Sequence, residues 1–296
     1  MDRMTLSDLP RDWVVAVSGY TSDNDGSLIL RALREVNRMA TAHRLDLGSP
    51  YTGGALSLCL PVWNGRGDRL VLKVLIDPSH AGEVAALEHW NKHQILLFPS
   101  ILATGDNAYL MSHHYSDGAL DLGALNDSLA RMATTPHPSP GQFPPLSTNV
   151  ELRISWAVER FLDDRVTPFP HWLDRAAGEL RELAGSDHRN LVHGDLQRKN
   201  VLTPDAGPIL IDPMPVVGDS MYDRALFIAT GNHPDGWEQT FTELARPVHP
   251  LMRPRLERWV TALAVIESRP ANDTDLAERT DFISSRWGLP TDSPKV

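Results

Sequence analysis

A polar loop between two apolar segments constrains this chain more than any other feature of its sequence. Within residues 191–202, Asp195 and Asn200 stand five positions apart, with apolar residues before and after them. A second apolar run, residues 208–211, ends in Asp212. A hairpin between the two segments would bring Asp212 back beside the loop. Carboxylate and amide oxygens are hard ligands that suit Mg²⁺ and poorly suit Zn²⁺, so this spacing predicts a magnesium site.

A lysine inside an apolar run is the second constraint. Lys73 has three apolar residues before it and three after it, within residues 70–76. Such a stretch predicts a strand buried on both faces, where an unpaired ammonium group is costly. Lys73 therefore needs an anionic partner or an anionic ligand. Residues 56–60, the glycine-containing turn at 64–68 and the lysine-bearing run together predict an antiparallel hairpin.

The chain changes from strands to helices along its length. Apolar residues at helical spacing predict that the first 47 residues are mainly helical, and the chain beyond residue 115 is mostly helical in pattern. Five prolines at 134–148 predict a loop or mobile segment. We predict further helices at about 80–93, 149–164, 171–185 and 255–268, and further strands at 95–104, 108–112, 190–192 and 208–211.

The composition excludes several classes of function. The chain has 28 Lys and Arg residues against 38 Asp and Glu residues, a net charge of −10 that disfavours nucleic-acid binding and suits a cationic substrate. One cysteine, Cys59, excludes an intramolecular disulfide and a multi-thiolate zinc site. No secretory signal is evident, and no stretch approaches the ~18 apolar residues of a membrane span. We therefore expect a cytoplasmic protein without a membrane partner.

Phosphoryl transfer requires the parts that the loop and the lysine provide. The protein must position a nucleophile, hold a metal ion and offset developing charge. In kinases these tasks belong to Asp-x-x-x-x-Asn, to a lysine on an upstream strand and to a later aspartate. Asp195, Asn200, Lys73 and Asp212 match that template. The sequence lacks the Asp-Phe-Gly and Ala-Pro-Glu motifs, which disfavours a protein kinase.

The motifs also resemble those of a known family, the aminoglycoside phosphotransferase-like antibiotic kinases. Residues 193–200 resemble its His-Gly-Asp-x-x-x-x-Asn loop. Ile-Asp-Pro at 211–213 and Gly-Asp-x-x-Tyr-Asp at 218–223 are similar to the branch of streptomycin 6-kinase and hydroxyurea phosphotransferase. The resemblance covers about residues 48–230. It implies an α+β, protein-kinase-like fold with a small antiparallel sheet in an N-terminal lobe, 1–112 with a helical extension over about 1–47, and a larger helical C-terminal lobe, 113–296.

The resemblance implies roles for the matching residues. Asp195 would orient the substrate hydroxyl and accept its proton, and Asn200 and Asp212 would hold Mg²⁺. Lys73 would bind the α- and β-phosphates of ATP and pair with a glutamate on the next helix. We predict Glu83 for that glutamate, with Glu88 as the competitor. Further nucleotide contacts are predicted at Gly53, Gly54, Ser57, Met111 and His113.

Some of these roles carry alternatives. Only two glycines stand where protein kinases have Gly-x-Gly-x-x-Gly, so a nucleoside triphosphate other than ATP, such as GTP, stays possible. His193 and Asp219 are predicted to support the loop. The expected acceptor is a cationic antibiotic such as an aminoglycoside, with basic peptides and sugars as further options, and the protein is expected to be a monomer or homodimer. The acidic candidates for binding it are Asp163, Asp164, Asp235 and Glu238.

Two other classes of function remain open from the sequence. The first is a module with a kinase fold that binds nucleotide without turnover. The presence of Asp195, Asn200, Asp212 and Lys73 argues against it. The other is a metal-dependent hydrolase built on His193 and the nearby aspartates, Asp219 among them. That hydrolase would leave Lys73 unexplained.

Overall fold

The chain folds into two compact units, Met1–Tyr115 and Ser116–Val296. The sequence analysis places the boundary at residue 112. The computed structural model describes residues 3–21, 26–52, 57–76, 82–95, 97–116, 118–164, 169–231, 236–269 and 273–288. In these ranges no helix is both long enough and apolar enough to span a membrane.

The first unit contains a five-stranded antiparallel sheet with the strand order β1-β2-β3-β5-β4. The described strands are β1 (Asp46–Leu47), β2 (Ser57–Trp63), β3 (Arg69–Leu75), β4 (Ile101–Thr104) and β5 (Ala108–Ser112). The described helices of this unit are α1 (Arg11–Thr21), α2 (Ser27–His43) and α3 (Gly82–Lys92). The predicted strand at 95–104 is too long, because β4 begins only at residue 101.

The two faces of this sheet have different neighbours. Side chains alternate between the faces along a strand. Leu72 and Val74 of β3 point to one face, where they share a hydrophobic cluster with Trp13 of α1 and Val36 of α2. The helical N-terminal segment therefore covers that face. Lys73, between them in the sequence, points to the opposite face, which leaves its side chain available for the α3 side of the sheet.

The second unit is mainly helical. Its described helices are α4 (Leu122–Ala133), α5 (Leu146–Asp164), α6 (Leu173–Ala184), α7 (Met221–Thr230), α8 (Trp237–Ala245), α9 (Arg253–Ile266) and α10 (Asp273–Trp287). Helix α9 forms the centre, since residues 259–266 are all buried and α6 and α7 pack against it. Two small antiparallel pairs complete the unit: β6 (Asn190–Val192) with β9 (Val216–Gly218), and β7 (Val201–Leu202) with β8 (Ile209–Leu210).

The proline-rich segment forms no regular element through residue 144, as its sequence predicts. It nevertheless packs onto the second unit. Phe143 is buried, and the backbone N–H of Val217 donates to the carbonyl of Pro144 at 2.9 Å. Pro145 continues this contact as an isolated parallel bridge to Val217. The segment thus lies beside β9, immediately before α5 begins.

Candidate active site

A buried ion pair occupies the α3 side of the sheet in the first unit. Lys73 lies in β3 between two neighbouring strands, and Glu83 lies in the first turn of α3. The Lys73 Nζ and the Glu83 Oε1 are 2.6 Å apart, and both side chains are almost fully buried. Glu88, the competing candidate, is exposed. The ammonium group therefore has the anionic partner that its apolar surroundings require.

A tyrosine completes this cluster. Tyr109 stands directly opposite Lys73 in the β3–β5 register, and its hydroxyl donates to the Glu83 Oε1 at 2.6 Å. Burial, reinforced by the Glu83 carboxylate, raises the pKa of Tyr109 well above its usual value. The phenol therefore stays neutral and acts as a donor. Tyr109 is not among the residues predicted from the sequence, although its strand position opposite Lys73 would have identified it.

The polar loop of the second unit holds Asp195 in a tight local structure. It leaves β6, makes a short 3₁₀ turn at Arg198–Asn200 and enters β7. The Asn200 Nδ2 donates to both the carbonyl oxygen (2.8 Å) and the Oδ2 (3.0 Å) of Asp195. The Gln197 Nε2 donates to the Asp195 Oδ1 at 2.6 Å. Both oxygens of the carboxylate are thus fixed by amide groups of its own loop.

The predicted hairpin returns Asp212 to this loop. Val201 of β7 pairs with Leu210 of β8, and the N–H of Ile211 donates to the Asn200 carbonyl at 3.0 Å. Asp212 follows directly and is exposed. Its φ of 57° lies in the left-handed region, which costs free energy in a non-glycine residue and is typical of functional loops.

The donor set fits a magnesium ion. Both acceptors near Asn200 are oxygens of Asp195, so its NH₂ group must face them, and its Oδ1 points elsewhere. Within the described ranges no group donates a hydrogen bond to that Oδ1. An amide oxygen and the exposed carboxylate of Asp212 are hard donors of the kind Mg²⁺ takes alongside phosphate and water. The described residues contain no group of three or more His, Cys, Asp or Glu that could hold a metal.

His193 braces the loop against the strand segment that carries Asp212. Its Nδ1 accepts from the backbone N–H of Asp195 at 3.3 Å, so the ring proton belongs on Nε2. The Nε2 lies 2.9 Å from the carbonyl of Ile211, to which it donates. The ring is fully buried and joins the two segments.

The second brace is Asp223 and not Asp219, for which a loop-supporting role is predicted. The Asp223 carboxylate accepts from the N–H groups of His193 (2.6 Å) and Gly194 (2.9 Å). Gly194 adopts a φ of 77°, and a Cβ there would collide with the Met214 carbonyl. Burial raises the pKa of Asp223 to about 7, against the lowering effect of these two backbone donors.

Asp219 serves a different contact. Its Oδ2 accepts from the Trp259 Nε1 at 2.8 Å and the Arg255 Nε at 2.5 Å. Its Oδ1 accepts from the backbone N–H of Met221 at 2.9 Å. These bonds join the start of α7 to α9 and make none with residues 193–200. The prediction that Asp219 braces the loop directly is therefore corrected: its carboxylate fixes α7, the helix from which Asp223 acts.

An arginine absent from the predicted set contacts the Asp195 carboxylate. The Nη2 of Arg153, on α5, donates to the Asp195 Oδ1 at 2.7 Å and to the Gly194 carbonyl at 2.9 Å. Its Nη1 donates to the Glu267 Oε1 at 2.7 Å. The side chain is 2% exposed. A signal was present in the sequence, because Arg153 shares the apolar face of its helix with Val150.

The remaining predicted nucleotide residues lie in the first unit. Ser57 begins β2, and its carbonyl accepts from the Trp13 Nε1 at 3.0 Å. Met111 is buried in β5, and His113 follows that strand, where burial lowers its pKa. Two further predicted residues, Gly53 and Gly54, lie outside the described residues.

The predicted acceptor-binding residues gain little support from the structure. Glu238 is exposed on α8 and pairs with Arg286 of α10 at 3.2 Å. Asp235 lies outside the described residues. Asp163 and Asp164 are the last two residues of α5, and the structure describes their backbone but not their side chains.

Comparison with known structures identifies the fold of the chain. The chain has the protein-kinase-like α+β fold that its sequence predicts. Amicoumacin kinase hAmiN, solved with AMP-PNP, Ca²⁺ and Ami, is 12% identical, with a TM-score of 0.61 over 89% of this chain and 97% of its own. Spectinomycin phosphotransferase, solved with ADP and spectinomycin, is 13% identical, with a TM-score of 0.57 over 86% and 94%. Choline kinase from Cryptosporidium parvum is 11% identical, with a TM-score of 0.53 over 89% and 93%.

A match to a family model identifies the family. Residues 49–274 match the family of aminoglycoside/hydroxyurea antibiotic resistance kinases, and the chain belongs to that family. It is therefore a phosphotransferase that acts on small molecules, and the resemblance drawn from the loop motifs is confirmed. Among curated proteins, no sequence matches this chain.

Proposed function

We propose that this protein transfers the γ-phosphate of ATP to a hydroxyl group of a cationic antibiotic, with aminoglycosides as the leading substrate class. The observation that carries the proposal is the convergence of Asp195, Asn200 and Asp212 through one loop and one hairpin. The family supports an antibiotic acceptor, and one structural neighbour is a streptomycin–ATP complex of an aminoglycoside phosphotransferase. The net charge of −10 favours a basic acceptor. Since ATP is the donor, we expect the reaction in the cytoplasm.

The proposed reaction is an in-line phosphoryl transfer. The acceptor oxygen forms a bond to the γ-phosphorus, the bond from that phosphorus to the β,γ-bridging oxygen breaks, and ADP leaves with the electron pair. Asp195 accepts a hydrogen bond from the acceptor hydroxyl, orients it, and takes up its proton. Lys73, held by Glu83, binds the α- and β-phosphates. Asn200 and Asp212 would hold Mg²⁺, which supplies positive charge against the phosphate oxygens.

A direct test supplies radiolabelled ATP and Mg²⁺ with a panel of aminoglycosides, other basic antibiotics and hydroxyurea. We expect transfer to at least one basic compound, seen as a labelled product and as the mass of one added phosphate. Parallel reactions with GTP decide the donor. Asp195→Ala should lower transfer by about 10²- to 10⁴-fold while AMP-PNP binding persists.

The panel also separates the competing functions. Nucleotide binding without transfer to any acceptor, by a folded protein with Mg²⁺, would favour the binding module. Phosphate release that does not depend on an acceptor and survives Asp195→Ala would contradict the assigned role of that residue.

A further inference from the structure

Arg153 lies on α5 and contacts the loop of residues 193–200. The predicted site residues on α5 are Asp163 and Asp164, whose side chains are not described. Its Nη2 bonds both to the Asp195 Oδ1 and to the carbonyl of Gly194, the preceding residue. Its Nη1 bonds to Glu267, just after the end of α9. Its Nε donates to the Asn149 Oδ1 at 3.0 Å, so four acceptor groups together fix the plane of the guanidinium.

The two oxygens of the Asp195 carboxylate consequently differ. Oδ1 accepts from Arg153 at 2.7 Å and from Gln197 at 2.6 Å. Oδ2 accepts from Asn200 at 3.0 Å. An ionised carboxylate oxygen has room for two hydrogen bonds. Oδ1 is therefore saturated, and Oδ2 retains one acceptor position.

We propose that Arg153 is a positioning residue that locks Oδ1 of Asp195 and so presents Oδ2 to the acceptor hydroxyl. The inference rests on the proposed phosphotransferase reaction, in which Asp195 orients that hydroxyl. Arg153 touches neither nucleotide nor acceptor in this scheme. It removes the rotational freedom of the carboxylate, and orientation of this kind is a main source of rate in phosphoryl transfer.

Other buried arginines of the second unit show that this arrangement is specific. Arg224 donates to Asn126 and to the Leu244 carbonyl. The Arg279 Nη1 donates to the carbonyls of Ala229 on α7 and Ala264 on α9. These contacts fasten helices to one another. Arg153 directs one of its two terminal nitrogens wholly to the catalytic loop, which packing of helices alone does not require.

A double-mutant cycle tests the inference, using Arg153→Met, Asp195→Ala and the combined variant. The rate is kcat for the acceptor that the panel identifies, with hydrolysis of ATP by water followed in parallel. In the parent background Arg153→Met should lower kcat by on the order of 10- to 100-fold with AMP-PNP affinity kept within about 2-fold. In the Asp195→Ala background it should change the rate by no more than about 2-fold, because no carboxylate remains to be positioned.

Conservative variants extend the cycle. Arg153→Lys keeps the charge but not the planar fork, so its kcat should lie between parent and Arg153→Met. Glu267→Gln loosens Arg153 without touching Asp195, and it should lower kcat by about 2- to 10-fold only when Asp195 is present. Glu151→Gln, an exposed position on the same helix that pairs with Arg181, is the matched control and should leave kcat unchanged.

Equal losses in both backgrounds, or a joint loss of kcat and AMP-PNP affinity, would show that Arg153 is only structural and overturn the inference. A folded Arg153→Met protein with parental kcat would also overturn it. If circular dichroism shows Arg153→Met unfolded, Arg153→Lys and Glu267→Gln decide by the same cycle. If the parent protein transfers phosphate to no acceptor, the proposed function fails, while ATP hydrolysis still tests Arg153 because water then takes the place of the hydroxyl.

Discussion

The two charged clusters of this protein are built in different ways. In the first unit, Glu83 follows Lys73 by 10 positions and Tyr109 follows Glu83 by 26, so two neighbouring strands of one sheet and one helix form the cluster. In the second unit, Arg153 and Glu267 are 114 positions apart and meet beneath the Asp195 loop. The first cluster depends on two neighbouring strands and one helix of a short stretch of chain, whereas the second depends on how α5, the end of α9 and the loop pack together.

The clusters also differ in charge. The described contacts of the first pair one ammonium with one carboxylate, and a neutral phenol donates to that carboxylate. In the second, Arg153 contacts the carboxylates of Asp195 and Glu267, and Asp223 lies one hydrogen bond away through Gly194. One cation thus contacts two carboxylates. An excess of negative charge of this kind favours cations such as Mg²⁺ and a basic acceptor.

The largest effect that distinguishes the clusters is expected from Lys73→Met. It leaves the Glu83 carboxylate buried without its cation, which should lower the free energy of unfolding by about 3–5 kcal/mol. It should also weaken AMP-PNP binding by about 10- to 100-fold, the value of one charge-assisted contact. Urea denaturation and calorimetric titration measure the two effects. Lys92→Met, which changes an exposed lysine at the end of α3, is the control.

A second substitution separates the two losses. Glu83→Gln in the Lys73→Met protein removes the stranded carboxylate but keeps an acceptor for Tyr109, so at least half of the lost stability should return. Nucleotide affinity should stay low, since the ammonium is still missing. Recovery of affinity together with stability would mean that Lys73 supports the fold and does not bind phosphate.

The predictability of each cluster follows from its construction. Three apolar residues on each side of Lys73 predict burial and an anionic partner or ligand, and the structure gives Glu83 at 2.6 Å. That pattern does not choose between Glu83 and Glu88, and the choice of Glu83 came from the family resemblance. The return of Asp212 to the loop of residues 193–200 could be predicted from spacing alone, because a short apolar hairpin joins them.

The residues that hold the Asp195 loop in the second unit, Asp223 and Arg153, could not be assigned in this way. Asp219 and Asp223 stand in one motif four residues apart, and which of them faces the loop depends on how β9 and α7 pack against β6. The apolar pattern of α5 places Arg153 on a buried face without identifying Asp195 as its partner. That pairing arises only when α5, α9 and the loop meet in three dimensions.

A smaller effect, confined to the second cluster, is expected from pH. Burial raises the pKa of Asp223 to about 7, so between about pH 4 and pH 7 the folded protein retains a proton that the unfolded chain has released. The free energy of unfolding should therefore fall as pH rises through this window. The total loss from this group is on the order of 4 kcal/mol for a rise of about three pKa units.

Asp223→Asn isolates that contribution, because asparagine does not titrate. As pH rises from 5 to 8, the free energy of unfolding of the parent should fall relative to that of the variant. Asp205→Asn, at an exposed position between β7 and β8, is the control. A difference independent of pH would mean that the two backbone donors outweigh burial and keep Asp223 ionised throughout.

The smallest effect is expected from Tyr109→Phe, which probes whether the first cluster is as self-contained as its contacts indicate. The substitution removes only the hydroxyl that donates to Glu83, and it should lower the free energy of unfolding by about 1 kcal/mol. Lys73 keeps its partner, so AMP-PNP affinity should change by less than about 3-fold, unlike the loss expected from Lys73→Met. Tyr115→Phe, which alters an exposed tyrosine of the same unit, provides the comparison. A loss of affinity as large as that of Lys73→Met would make the Tyr109 hydroxyl part of the nucleotide site, and the first cluster would then depend, like the second, on more than its ion pair.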